Sequence, residues 1–297
     1  MKTRSDSGPV LDKGDVLLEA RGLSKGFPGV WEHLILDKLD FDVRSGEVHT
    51  LLGENGAGKT VIANILSGYY EKTEGEIRVK GKLVHFRSPR EGLAHGIAMV
   101  HQELMLVPAF TVAENIMVGL NAPLFSYDIT GVEKRIQRLV ERYGLQVDPK
   151  ARVEDLSAGQ QQRVEILKVL FHEPEVLLLD EPTSLLTPSE ADQLFVVLRA
   201  MADDGKGIVF ISHKMREVFA VSDRVTVLKL GKTQGTCQIA ETNEDELTRR
   251  TFGETVPDYM ERPPVAHKEL ALNTIEMVPS GLEKKPNPQG ISLKIRC

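Results

Sequence analysis

Residues 53–60 read Gly53-Glu54-Asn55-Gly56-Ala57-Gly58-Lys59-Thr60, entered from EVHTLL (47–52) and left through VIANILSGYY (61–70). The incoming run is apolar and strand-like. The outgoing run reads as a helix. The glycines between them let the chain turn sharply, so that successive backbone N–H groups aim at one point. A helix starting near Gly58 adds the positive end of its dipole to that point. A phosphate group suits such a cradle. Lys59 is expected to bridge the β- and γ-phosphates of a nucleotide. The Thr60 hydroxyl is expected to ligate Mg²⁺, a hard cation that prefers oxygen. The spacing is that of a P-loop, with Val61 directly after it. Taken alone, the stretch says P-loop nucleotidase and nothing finer.

Outward from the loop, strand-like runs precede it at VLLEARGL (16–23) and LILDKLDFDV (34–43), and residues 75–100 read as short strands and turns. From 103 to 172 the pattern is helical, most plainly in EKRIQRLVERYG (133–144). EVLLLD (175–180), GIVFIS (207–212) and RVTVLKL (224–230) are apolar without alternation, as strands covered on both faces are. Helix-like stretches at 188–203 and 214–221 separate them. This alternation predicts an α/β fold: a P-loop core with a mostly parallel sheet, an inserted helical subdomain at 103–172 and a small antiparallel β region near the start. Residues 1–15 read as a flexible leader, 16–253 as one nucleotide-binding domain, and 254–269, polar and Pro-bearing, as a linker.

The composition limits what surrounds this core. Of 297 residues, 41% are hydrophobic and 27% charged, as in a folded domain. A net charge of −6 argues against a general nucleic-acid binder, because phosphate backbones repel an acidic surface. No run of apolar residues is long enough to span a bilayer. Cys237 and Cys297 are far apart and read as free thiols in a reducing compartment. The histidines at 33, 49, 85, 95, 101, 172 and 267 form no metal-ligand spacing.

Downstream, LLLDEP ends a buried strand on Asp180 and Glu181. A P-loop enzyme needs such a pair: one carboxylate to hold Mg²⁺ and one to take a proton from the attacking water. Leu156-Ser157-Ala158-Gly159-Gln160 lies between the P-loop and this strand, Gln102 follows the run AMV, and His213 follows GIVFIS. With these four motifs in this order, residues 16–253 resemble the ATP-binding cassette family, whose signature usually reads LSGGQ. The resemblance implies roles. Gln102 contacts Mg²⁺ or the attacking water and links the site to the helical insertion. Asp180 holds Mg²⁺, Glu181 is the general base, and His213 holds the γ-phosphate and orients Glu181. Ser157, Gly159 and Gln160 serve a nucleotide held by a second cassette. Phe27 in SKGFPGV is the best match for the aromatic that stacks on adenine, with Trp31 as the alternative.

Three positions depart from the family pattern: Val61 replaces a second hydroxyl, Ala158 a signature glycine, and Thr187 the usual Asp of the D-loop. They motivate an alternative reading, a degenerate cassette that binds ATP as a regulatory module. Within the family, GLSKGFPGV, VHQEL and TVAENI resemble bacterial importers of ribose, galactose, xylose, related simple sugars or nucleosides. That resemblance implies integral membrane permease subunits, a periplasmic or lipid-anchored solute-binding protein and a place on the cytoplasmic face of the bacterial inner membrane. No coiled-coil heptads lie between Lys59 and Ser157, unlike repair-type relatives. Finally, LALNTIEMVPSG (270–281) and QGISLKIRC (289–297) repeat the pattern of VLLEARGLSKG and LDKLDFDVRSGE. Residues 270–297 are therefore expected to be the truncated start of a second cassette, the chain being the first half of a tandem subunit.

Overall fold

The structure is a computed structural model that describes residues 13–27, 34–119, 128–253, 270–277 and 291–296. It divides at Glu254 into two compact units.

In the first unit, three strands are buried at every residue: β3 (Val48–Gly53), β7 (Val176–Asp180) and β8 (Gly207–Ser212). With β6 (Ile97–Val100), β9 (Arg224–Lys229) and β10 (Lys232–Gln238) they form a sheet in the order β10-β9-β3-β8-β7-β6. Only the edge pair β10–β9 is antiparallel. The continuous apolar runs follow from cover on both faces. Leu177, Leu179, Ile208 and Phe210 point into one core, and Val176, Leu178, Val209 and Ile211 into the other. That alternation is the period of a pleated strand.

The first core is shared with α3 (Val112–Val118), α4 (Ile129–Tyr143), α5 (Ala158–Leu170) and α6 (Pro188–Asp203). The second lies under α1 (Lys59–Leu66) and a four-stranded antiparallel sheet, order β2-β1-β4-β5, made of β1 (Val16–Lys25), β2 (Leu36–Arg44), β4 (Glu74–Val79) and β5 (Lys82–Val84). A third, smaller core joins β9 to α7 (Met215–Val221) and α8 (Glu244–Phe252). The expected α/β architecture with its helical insertion and antiparallel region is present.

Three local expectations are corrected. The helix after the P-loop stops at Leu66 instead of running through Tyr70, because Gly68 turns with φ 84° and the Asn64 carbonyl accepts from both Tyr69 and Tyr70. A short helix, α2 (Pro89–Ala94), lies inside the stretch read as strands and turns; Pro89 sits in its first turn, where its missing N–H costs nothing. Residues 103–110, read as helical, form no helix.

Residues 1–12, 28–33 and the expected linker at 254–269 lie outside the described residues. The second unit contains an antiparallel pair, β11 (Leu270–Met277) and β12 (Ile291–Arg296). Its register pairs Leu270 with Arg296, Leu272 with Ile295 and Thr274 with Leu293. In the first unit Val16 pairs with Arg44, Leu18 with Val43 and Ala20 with Phe41. The first two of the three irregularities in the β1–β2 pairing, at Val16/Leu18 and Ala20/Leu23, have counterparts at Leu270/Leu272 and Thr274/Met277.

Candidate functional site

At the C-terminal end of β3 the chain turns into α1 through Gly56 (φ 82°) and Gly58 (φ 106°). Gly58 is required twice over. Its φ lies where other residues are strained, and a Cβ there would sit 2.7 Å from Leu36 Cδ2. The turn opens a cleft of about 420 Å³ lined by Ile35, Asn55, Gly56, Gly58, Lys59, Thr60, Val61, Gln102 and Glu181. Gly53 and Ala57 are buried beneath its wall, and Glu54 is exposed beside it.

Lys59 is buried, and its Nζ donates to the carbonyls of Gly53 and Glu54, both at 2.9 Å. Burial lowers its pKa, while Glu181 and Asp180 oppose the shift. Asp180 ends β7 almost fully buried. Burial raises its pKa, and the Glu181 charge adds to this; the Thr60 hydroxyl and the Lys59 cation work the other way. Its Oδ1 is buried with no hydrogen-bond donor. An unpaired buried carboxylate oxygen costs about 1–3 kcal/mol and wants a cation or a donor. Together with the Thr60 hydroxyl and the Gln102 amide it forms an all-oxygen donor set that fits Mg²⁺.

Glu181 is the first residue past β7 and holds left-handed backbone, φ 44°. Its N–H is tied to the Ile211 carbonyl at 3.1 Å, and its Oε1 lies 3.0 Å from Nδ1 of His213, the first residue past β8. Adjacent parallel strands thus bring a carboxylate and an imidazole to the same end of the sheet as the phosphate cradle. Such an arrangement can accept a proton from a water molecule placed at the cleft.

The signature residues lie elsewhere and line no part of the cleft. Ser157 caps α5. Its Oγ accepts from the Gln160 N–H at 3.3 Å, and its own N–H donates to Gln160 Oε1 at 3.0 Å. Ala158 is the first residue of this helix and has no positive φ, so its methyl costs no backbone strain. Gly159 is buried where a Cβ would come within 2.5 Å of Glu190 Oε1. Thr187 caps α6, with Glu190 as its partner.

Phe27 does not line the cleft. It packs edge-on against Tyr70, ring centroids 5.4 Å apart, with Lys25 Nζ 4.7 Å from its own centroid. Trp31 lies outside the described residues. The apolar lining comes from Val61 and from Ile35, which no motif marks; the Ile35 carbonyl lies 3.2 Å from where a Gly58 Cβ would stand.

The segment past Gln102 is held by side chains that sequence reading did not single out. The Met105 N–H donates to buried Glu165 at 2.5 Å, and its carbonyl accepts from Lys168 at 2.9 Å. The Val107 N–H and carbonyl are both taken by Asn115, at 2.7 and 3.0 Å. No spacing marks these side chains, because the contacts join α5 and α3 to a distant loop.

Residues 36–184 match the ABC transporter family, and that match takes in the P-loop, Gln102, the signature and the Asp180-Glu181 strand. The chain is a member of the ABC transporter family. This cassette is 42% identical over 262 residues to the nucleoside import ATP-binding protein NupA of Lactococcus lactis, covering 88% of the chain and 52% of the relative. It is 42% identical over 282 residues to the ribose import ATP-binding protein RbsA 1 of Rubrobacter xylanophilus, covering 95% and 55%. The chain spans about half the length of the curated relatives it matches. Among solved structures, cbiO1 of Clostridium perfringens, part of the ABC transporter complex cbiONQ, superimposes with a TM-score of 0.67 at 26% identity, covering 80% of the chain and 94% of cbiO1. No helix among the described residues is long and apolar enough to cross a membrane.

Proposed function

We propose that this cassette binds MgATP and hydrolyses it to power import of a sugar or nucleoside through separate membrane permease subunits. The observation that carries the proposal is the convergence, at one end of the parallel sheet, of the P-loop, the buried Asp180 carboxylate with its unpartnered Oδ1 and the Glu181–His213 pair. Lys59 and the amides of 53–60 hold the phosphates. Thr60, Asp180 and Gln102 hold Mg²⁺, which supplies positive charge against the phosphate oxygens. Glu181 takes the proton of the water whose oxygen bonds to the γ-phosphorus as the β–γ bridge breaks. His213 fixes the Glu181 carboxylate and contacts the γ-phosphate. Val61, Ala158 and Thr187 leave each of these residues in place, so hydrolysis is favoured over the regulatory alternative.

The cargo class follows from the relatives, which are named for nucleoside and ribose import. Such a subunit works on the cytoplasmic face of the membrane, with a solute-binding protein delivering cargo from the other side. Ser157, Gly159 and Gln160 lie away from the chain's own cleft, which supports their serving the γ-phosphate held by a second cassette. The β11–β12 pair repeats the β1–β2 register with its first two irregularities. That repeat and the greater length of the relatives support a second cassette in the same full-length chain, starting near residue 270.

Titrating ATP into two variants tests the shared site. Lys59→Ala removes a charge-assisted contact to the phosphates and is expected to weaken ATP binding at least about tenfold. Ser157→Arg is expected to leave ATP affinity of the chain within about twofold while abolishing turnover in the assembled transporter. A Ser157→Arg variant that binds ATP as poorly as Lys59→Ala would refute the shared-site reading.

A further inference from the structure

Glu217 lies on α7, lines no part of the cleft and is buried at 7% exposure. Its contacts all go to residues that flank the Glu181–His213 pair. Thr183, two residues past Glu181, brings its hydroxyl within 2.8 Å of both carboxylate oxygens. Ser212, directly before His213, donates to Oε2 at 2.8 Å. Lys214, directly after His213, reaches Oε1 at 2.9 Å. The Lys214 Nζ also lies 3.3 Å from the Thr183 carbonyl, and its N–H donates to the Ser212 hydroxyl at 3.1 Å. A buried carboxylate is costly unless a cation and donors satisfy it, and here one lysine and two hydroxyls do so.

The place of this cluster in the sheet gives it meaning. The β7–β8 ladder ends at the pair Asp180–Ile211. One further backbone bond, from Glu181 to Ile211, follows it. Past that point the two loops bearing Glu181 and His213 share no ladder, and Glu217 joins them instead. The strands are already paired without it, so the bonds it adds set the separation and orientation of the loops.

We propose that Glu217 is a positioning residue for ATP hydrolysis. By holding Thr183 and Ser212 it fixes the Glu181 carboxylate against the His213 imidazole. The proposal rests on Glu181 being the general base. A carboxylate that drifts by about 1 Å from its water loses on the order of 100-fold in rate, whereas ATP binding depends on the P-loop, which Glu217 does not touch.

The test is single-turnover phosphate release and ATP affinity in the full-length subunit assembled with its permease. Five variants are compared: Glu217→Ala, Glu217→Gln, Thr183→Val, Glu181→Gln, and Glu217→Ala combined with Glu181→Gln. Glu217→Ala and Thr183→Val are expected to lower the rate on the order of 10- to 100-fold, with ATP affinity changed less than about twofold. Glu217→Gln, which keeps an acceptor for Thr183, recovers part of the rate. Because Glu217 acts through Glu181, its removal adds no further loss in the Glu181→Gln background, whereas a merely structural role would multiply the two losses. Thr183→Val removes one hydroxyl at nearly constant volume and covers the case in which Glu217→Ala does not fold. Wild-type rates in both Glu217→Ala and Thr183→Val, or a further loss in the double variant, would overturn the proposal. A fast Glu181→Gln variant would instead overturn the base assignment; a slow Glu181→Gln beside a fast Glu217→Ala would overturn the positioning alone.

Discussion

Glu181 and Leu230 both hold left-handed backbone, with φ of 44° and 47°, at opposite extremes of use. The strain at Glu181, on the order of 1 kcal/mol, is retained by its bond to Ile211 and aims its carboxylate at His213. Leu230 heads the β9–β10 turn with Gly231, is 82% exposed, and gains nothing comparable from its surroundings. Two left-handed residues in a two-residue hairpin turn are where Asn-Gly is favoured. Leu230→Asn is therefore expected to stabilise the fold by about 0.5–1 kcal/mol, a rise in Tm of a few degrees. Thermal melting of the purified chain checks it, and an unchanged or lowered Tm contradicts the strain assigned to this turn. Neither strain can be read from the motifs: the neighbours of Glu181 in the sequence mark it, but its backbone is held by the bond to Ile211 on β8.

At the scale of elements, the segment after Gln102 behaves like an edge strand whose partner is a set of side chains. Alternate residues Met105 and Val107 have both backbone groups occupied, one by Glu165 and Lys168 on α5, the other by Asn115 on α3. Met105 is nonetheless 56% exposed. Gln102, which lines the cleft, is thus tied within three positions to the helix that Ser157 caps. Glu165→Ala removes the acceptor of the Met105 N–H. Hydrogen exchange is expected to quicken at that amide by at least about tenfold, while ATP affinity stays within about twofold. Exchange that is unchanged at Met105 would show that α5 does not hold the segment. The helical range expected over 103–172 takes in this segment because periodicity does not record what claims a backbone; the buried Glu165 and Asn115 that claim it here meet it only after folding.

For the whole molecule, legibility falls as the contacts that fix a feature become longer in range. The P-loop, the buried strands and the acidic pair are local patterns, and each lies in the element expected of it. The bounds of short elements were less legible, because Gly68 and the Asn64 carbonyl end α1 and Pro89 starts α2 through contacts that periodicity does not record. The aromatic expected at adenine, Phe27 or Trp31, comes from the resemblance alone; Phe27 packs on Tyr70, and Ile35 and Val61 give the cleft its apolar lining. Least legible was what crosses between elements, the Glu217 cluster above all, since residues 183, 212 and 217 meet only when β7, β8 and α7 are assembled. All of this serves one claim, that the cleft at the end of the parallel sheet hydrolyses ATP with Glu181 as the base. The most direct measurement is ATP affinity and phosphate release side by side for the wild type and Glu181→Gln, in the assembled transporter. The amide cannot take the proton, while the cradle at 53–60 is untouched. The expected result is ATP affinity within about twofold and phosphate release lowered on the order of 100-fold or more; phosphate release equal to the wild type would contradict the account.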